Sequence, residues 1–203
     1  EMTLNLSKGV LNKRVFKQHI LDIHLKDFML GQTTPYLNKF KNTIDVGAAT
    51  GMYASHFAEH SKNVICFEAV QPVYEQLEKI KQKHNNVITH NLAVADFEGV
   101  SGFYVDDKRL SNSSFQNLVD GQLIEVDTVT IDSMQLNDVG FMKIDVEGIE
   151  LDVLNGAVNT ILEYKPTCMV EIYDKFNKYP VETTFEFFFV RNYRCFYNHK
   201  GQG

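Results

Sequence analysis

Three short stretches of this chain carry residue types and spacings suited to chemistry on a nucleotide-like ligand. The first is Asp45-Val-Gly-Ala-Ala-Thr-Gly51, placed directly after a strand-like run and directly before a helical one. Glycines at 47 and 51 let the backbone turn tightly and approach a bound ligand closely. A dinucleotide-binding loop reads GxGxxG and rests a pyrophosphate on the helix N-terminus. Here the pattern is DxGxxxG, so the loop opens on a carboxylate. A carboxylate there repels a pyrophosphate and suits a ligand with a cationic amino group. S-adenosyl-L-methionine carries such a group and a sulfonium. The second stretch ends on Glu68, 17 residues after Gly51, at the close of a second strand-like run. Acids at that point of α/β nucleotide sites hold ribose hydroxyls, and a carboxylate can accept both hydrogen bonds of a cis-diol. The other reading of Glu68 is that it only favours the positive end of the helix beginning near Pro72, worth about 0.3–1 kcal/mol.

The third stretch is Lys143-Ile-Asp-Val-Glu147, with Glu150 three residues further on. In a strand over Gly140–Val146, Phe141, Lys143 and Asp145 point to one side of the sheet. Central parallel strands are covered on both faces, so an unpaired Lys143 would be costly. An ion pair with Asp145 or Glu171 therefore stands beside a catalytic role for it. Asp145 falls at the carboxyl end of its strand, where open α/β sheets place their ligands. Glu147 and Glu150 serve either the chemistry or the dipole of the helix that follows. Methyl transfer is an in-line displacement at a carbon already activated by the sulfonium. The protein has to align the acceptor atom and help remove its proton, a task for a carboxylate or a neutral amine. The catalytic candidates are thus Asp145, facing the acceptor, with Glu147 or Lys143 assisting deprotonation. Two carboxylates without a nearby histidine are weak grounds for a divalent cation, and no metal is expected. The polar loop Ser111-Asn-Ser-Ser114 reads equally as an acceptor contact and as plain surface.

The elements that must position these residues alternate along the chain. Thr43–Val46 reads as a strand, Thr50–Glu59 as helical, Asn63–Glu68 as a second strand and Val87–Asn91 as a third. A helix from Pro72 to about Lys83 lies between the last two, with its proline in the first turn, where a missing N–H costs nothing. A β-rich stretch follows, Gly102–Val105 and Gln122–Asp132 around the polar loop Leu110–Phe115. Gly140–Val146 returns to the buried-strand pattern. Leu151, Leu154, Val158 and Ile161 give the next helix one apolar face. Pro166–Ile172 reads as a strand, Val181–Val190 as a helix and Tyr193–Tyr197 as a last strand. Leu11–Met29 reads as an amphipathic helix ahead of all this. Strands separated by helices of this length imply parallel pairing with right-handed crossovers. The expectation is an α/β, Rossmann-like fold: a mostly parallel central sheet with helices on both faces, preceded by an N-terminal helix. It forms one domain over 1–203, with a helical extension at 1–40 and the core at 41–200.

Composition bounds the function classes. At 203 residues, 44% hydrophobic and 12% aromatic, the chain can bury a full core. No run approaches the roughly 18–20 apolar residues of a membrane span. A net charge of -6 argues against broad nucleic-acid binding. Cys66, Cys168 and Cys195 form no CxxC pair, and no secretory signal is present, so a reducing, cytoplasmic location is expected. Oligomer formation stays open.

Taken together, these motifs resemble those of the FkbM family of methyltransferases. The similarity runs from Ile44-Asp-Val-Gly-Ala-Ala-Thr-Gly51 through Phe67-Glu-Ala-Val-Gln-Pro72 and Asn91-Leu-Ala-Val-Ala-Asp96 with Gly99. It continues over Ser111–Ser114 and Val126-Asp-Thr-Val-Thr-Ile-Asp132. Phe141-Met-Lys-Ile-Asp-Val-Glu-Gly-Ile-Glu-Leu-Asp-Val-Leu-Asn-Gly-Ala157 is similar to the family's KIDVEGxExxxLxGA hallmark almost residue for residue. One departure is Glu68-Ala69, where the family usually has Glu-Pro. The resemblance covers about residues 40–175. It implies a class I methyltransferase fold, S-adenosyl-L-methionine as cofactor, and O-methylation of a hydroxyl on a small molecule or carbohydrate acceptor. Cofactor contacts are expected from Asp45, Gly47, Ala48, Gly51, Glu68, Ala69 and Asn91. The family fold normally finishes with an antiparallel strand pair. Tyr193–Tyr197 is therefore expected at the sheet end opposite the third strand, its edge open or covered by another chain. Two alternatives remain at this point. A nicotinamide-dependent oxidoreductase is disfavoured by the missing middle glycine and by Asp45. A non-catalytic nucleotide-binding module of the same fold is disfavoured by the presence of Asp45, Glu68 and Asp145.

Overall fold

The computed structural model describes residues 31–106, 121–172 and 177–196. The expected helix over Leu11–Met29, the Ser111–Ser114 loop and Tyr197 lie outside the described residues. In chain order the elements are β1 (Asn42–Val46), α1 (Met52–Ala58), β2 (Val64–Phe67), α2 (Gln71–Glu78), β3 (Val87–His90), β4 (Ala93–Val94), β5 (Gly99–Asp106) and β6 (Gly121–Val129). They continue with β7 (Val139–Ile144), α3 (Glu150–Asn155), α4 (Val158–Tyr164), β8 (Thr167–Val170) and α5 (Val181–Phe189).

The apolar runs pair as expected. Five strands form one sheet in the order β3-β2-β1-β7-β8, every neighbouring pair parallel. All five residues of β1, the middle strand, are buried. Its side chains alternate between two differently filled faces. Ile44 and Val46, with Ile65, Phe67, Met142 and Ile144, pack against Leu151 and Leu154 of α3, Ile161 of α4 and Phe187 and Phe188 of α5. On the opposite face Val64, Cys66, Val87 and Phe141 pack under Ala54 and Phe57 of α1 and Leu77 of α2. This is the Rossmann-like α/β arrangement, with helices on both sides of a parallel sheet. No helix among the described residues is long and apolar enough to cross a membrane.

Three details differ from the sequence reading. The β-rich stretch builds its own small sheet, order β4-β6-β5, in which β5 and β6 form an antiparallel hairpin. Phe103, Val105 and Val126 of that hairpin pack on Val70, Val73 and Ala93, beside the head of α2. Tyr193–Phe196, expected in the main sheet, lies outside it. Two contacts hold the start of this irregular segment against α5: the Tyr193 N–H donates to the Phe188 carbonyl, and the two rings meet at 5.4 Å. Finally, the single helix read from Leu151 to Ile161 is two helices, broken at Gly156-Ala157.

Asp132 explains that break. The first N–H groups of a helix need acceptors, and Ala157 at the start of α4 supplies no side chain for them. Asp132, more than twenty residues earlier, does so instead. One carboxylate oxygen accepts from the Thr160 N–H at 2.8 Å and its hydroxyl at 2.7 Å, and the other accepts from the Asn159 N–H at 2.9 Å. The Asp132 N–H in turn donates to the Gly156 carbonyl at 2.9 Å. The chain can therefore leave α3 and restart as α4. Hydrogen bonds to a charged group contribute about 1.5–3 kcal/mol. Asp132→Ala is expected to lower stability by about that amount, or roughly 2–4 °C per kcal/mol for a chain of this size. A thermal melt checks this, and an unchanged midpoint would refute the capping role.

Candidate active site

In this sheet the chain moves outward from β1 through β2 to β3, then returns to the other side of β1 for β7 and β8. The reversal leaves a crevice outside the carboxyl ends of β1 and β7, where open α/β sheets bind ligands. Asp45, the loop at 47–51 and Asp145 all converge on this point. Glu68 closes the neighbouring β2, and Glu171 follows β8.

Lys143 organises the floor of the crevice. The β1–β7 register sets Asp45 opposite Lys143, and the ammonium lies 3.5 Å from Asp45 Oδ1 and 3.4 Å from Asp145 Oδ2. A third contact runs from Nζ to the Gly47 carbonyl at 3.4 Å. The Lys143 side chain is 2% exposed, that of Asp45 0% and that of Asp145 27%, so only Asp145 of the three faces outward. Burial alone would depress the ammonium, yet Asp145, Asp45 and Glu171 together hold it above the ordinary lysine value. Lys143 therefore stays charged and behaves as an ion-pair partner. Burial raises the Asp45 carboxyl even with Lys143 beside it. Lys143 is thus the protein cation beside Asp45, whose carboxylate is enclosed.

The loop between β1 and α1 is shaped by contacts with the protein itself. Gly47 has φ +72, and a Cβ there would meet the Asp145 carbonyl oxygen at 1.8 Å. Gly51 also has positive φ, and it packs on Leu77 and Ile80 of the α2 segment. Ala48 is 5% exposed and joins the core under α1, while the N–H groups of Gly47 and Ala48 both donate to the Phe67 carbonyl. Glu68 clasps two loops at once: Oε2 accepts from the Ala49 N–H at 3.0 Å and Oε1 from the Val70 N–H at 2.8 Å. Each oxygen keeps a further lone pair for a ligand hydroxyl. Burial raises the Glu68 carboxyl, partly offset by those two N–H groups. Asn91 donates to the carbonyls of Glu68 and Ala69 at 2.9 and 3.0 Å, which locks the β2–α2 turn to the end of β3. Ala48, Ala69 and Asn91 thus shape the rim through backbone and core contacts.

Beyond β7 the chain makes an acidic turn. Glu147 has φ 54 and Gly148 φ 107. A glutamate gains nothing from the left-handed region, which costs an ordinary residue about 1–2 kcal/mol. Burial pushes the Glu147 carboxyl up to about 7, with Asp145, Glu171 and Glu150 adding to it. Glu150 is fully buried and accepts the Gly148 N–H at 2.9 Å, so it braces this turn. The Lys178 N–H donates to the Gly148 carbonyl at 2.8 Å, fixing the turn from outside. Among the described residues, no group of three or more His, Cys, Asp or Glu is placed to hold a metal ion.

One site residue went unnoticed in the sequence. Tyr53, in the first turn of α1, sets its ring 5.0 Å from Lys143 Nζ. Its signal was the four-residue spacing to Phe57, which puts both rings on the sheet-facing side of α1.

Comparison with known proteins agrees with this architecture. A family model described as the Methyltransferase FkbM domain matches residues 45–197. No curated protein sequence matches the chain. A methyltransferase FkbM from Methylobacillus flagellatus KT is similar at 18% identity and a TM-score of 0.50, over 68% of this chain and 34% of that one. This chain therefore spans about a third of that structure's length. A precorrin 8W decarboxylase from Methanobacterium thermoautotrophicum aligns at 15% identity and a TM-score of 0.47, over 88% and 74% of the two chains. An rRNA methylase from Streptococcus thermophilus aligns at 11% identity and a TM-score of 0.43, over 84% and 80%. At 18% identity the likeness to the Methylobacillus flagellatus structure speaks to fold alone. The family match, by contrast, spans well over half of the residues, and on that ground the chain belongs to the FkbM family of methyltransferases.

Proposed function

We propose that this chain is an S-adenosyl-L-methionine-dependent methyltransferase acting on a hydroxyl of a small molecule or sugar. The observation that carries the reading is the convergence at the β1–β7 crevice. One carboxylate there, Glu68, already holds the glycine loop, and a second, Asp145, is the exposed end of an otherwise buried charge cluster. When bound, the cofactor supplies a methyl group activated by its sulfonium. The site fits it. Glu68, with acceptor capacity to spare, would hold a ribose diol, and the loop at 45–51 would hold the amino-acid end. Asp145 orients the acceptor hydroxyl. Lys143, held as an ammonium, takes no proton and serves to fix Asp145. Glu147, whose carboxyl changes charge near neutrality, receives the proton. Family membership leaves the nicotinamide alternative without support.

Three measurements test this reading. Glu68→Ala removes a charged acceptor, an interaction worth about 1.5–3 kcal/mol, so calorimetry should show S-adenosylhomocysteine binding at least about tenfold weaker. Unchanged affinity would remove the ribose assignment. Asp145→Asn should reduce tritiated methyl transfer to a panel of sugars and small alcohols by about 10²–10⁴-fold, with cofactor affinity nearly intact. Wild-type turnover in that variant would sink the assignment of Asp145. The third concerns pH. A glutamate with a raised folded-state pKa holds its proton more tightly in the folded chain, so ionising it costs stability. That cost is absent below the unfolded value of about 4.3 and complete above the folded value of about 7. Glu147→Gln should therefore gain melting temperature relative to wild type as pH rises through this window. A difference independent of pH would show that Glu147 titrates normally.

A further inference from the structure

The buried Lys143 ammonium lacks a tight partner. Its contacts to Asp45, Asp145 and the Gly47 carbonyl are 3.4–3.5 Å, wider than the roughly 2.7–2.9 Å of a charge-assisted hydrogen bond. Attraction that loose depends on the exclusion of water, since an entering water would compete for every donor. Asp45 on β1, the Gly47 carbonyl, Asp145 and, on the other side of the strand pair, Met169 of β8 surround Lys143, and the ring of Tyr53 lies 5.0 Å from the ammonium. That ring is itself held in place. It meets Phe57 at 5.6 Å, and Phe57 meets Phe141, two residues before Lys143 on the same strand face, at 5.4 Å. The phenol stays neutral, pushed up to about 12 by burial and by Glu171, Asp145 and Asp45. Tyr53 is half-buried, whereas Phe57 beneath it is fully enclosed, so it forms the outer member of the stack.

We propose that Tyr53 is a positioning residue, whose ring roofs the Lys143 ammonium, keeps the Asp45–Lys143–Asp145 cluster dry, and so fixes the orientation of Asp145. The aromatic face attracts the cation as it excludes water, a combination that an aliphatic side chain does not supply. The inference rests on the reading of Asp145 as the residue that orients the acceptor. Its test begins with a measurement that needs no acceptor. In protein carrying ¹⁵N-lysine, a water-protected ammonium gives a slowly exchanging NMR signal, assigned to Lys143 by its absence in Lys143→Met. Tyr53→Phe keeps the ring and should keep that signal. Tyr53→Leu should speed its exchange by about tenfold or more. Turnover of labelled methyl groups with the same acceptor panel should fall by about ten- to a hundredfold in Tyr53→Leu, with S-adenosylhomocysteine affinity close to wild type, and be restored in Tyr53→Phe. Tyr53→Met, of similar reach but without an aromatic face, replaces the leucine variant if that one melts early. A protected ammonium in both aliphatic variants would overturn the proposal. Equal damage in Tyr53→Phe would overturn it in favour of the hydroxyl. Aliphatic variants with full turnover beside an impaired Asp145→Asn would overturn the Tyr53 role alone, whereas an active Asp145→Asn would remove the reading beneath it.

Discussion

A lysine ammonium buried at 2% exposure in the second most central strand is the constraint around which this site is built. Removing an ion from water costs several kcal/mol, and the cost is met only by close opposite charge and polar contacts. The parallel register supplies the first partner, since Asp45 and Lys143 are lateral neighbours on β1 and β7. Cys66 and Met169 continue the same row on either side. Both are soft and uncharged, and the Cys66 thiol is held well above its usual value by burial and then by Asp45. The row therefore carries one cation, flanked by one enclosed anion, and the second anion, Asp145, lies just beyond the strand end. Sliding β7 by a single residue against β1 would turn Lys143 toward the apolar face of Ile44 and Val46. The charge pair thus specifies register as well as local electrostatics.

The same pair dictates the shape of the loop above it. For Lys143 to reach the Gly47 carbonyl, the chain must fold back over the end of β7, which brings position 47 against the Asp145 carbonyl. Only glycine fits there. Ala49 must then adopt φ 49, and its N–H is turned to Glu68 at 3.0 Å. Of the other non-glycine residues with positive φ, Asp138 and Asn192 are types that tolerate the left-handed region, and Gln135 and Lys165 stand at helix C-caps, where it is common. Ala49 and Glu147 have no such local excuse, and both flank the crevice. Strain held where the surroundings over-determine it is characteristic of functional loops.

Much of this was legible in the sequence, and the rest was not, for identifiable reasons. The strands of the main sheet could be read because buried parallel strands are short apolar runs bounded by turns, and the glycine loop and acidic turn could be read because their spacing is local. What could not be read is lateral. The partner of Asp45 lies 98 positions further along, and only the sheet order makes the two neighbours. The reading of Asp45 from its loop alone consequently could not include the protein cation beside it. The break between α3 and α4 is equally non-local, since the acceptor that recaps α4 is Asp132. Periodicity joined the two helices because both bury the same kind of apolar stripe on one core. Tyr193–Phe196 has strand-like composition, but the contact of Tyr193 with Phe188 holds the segment's start against α5.

The excess of carboxylates over cations then bears on the division of labour proposed for the site. Lys143 faces Asp45 and Asp145, and its influence reaches Glu147 only weakly. For Glu147 it is the smallest of the named effects, behind burial and three carboxylates. The two outer acids therefore sit in different fields although they are two residues apart. Asp145 has an ammonium at 3.4 Å, and Glu147 has mainly other acids around it. A carboxylate in contact with a buried ammonium is held in one place, which suits orientation. An acid among acids suits proton exchange, because it gains a proton readily near neutrality. A single buried lysine, placed beneath one acid and away from the other, is enough to create that difference.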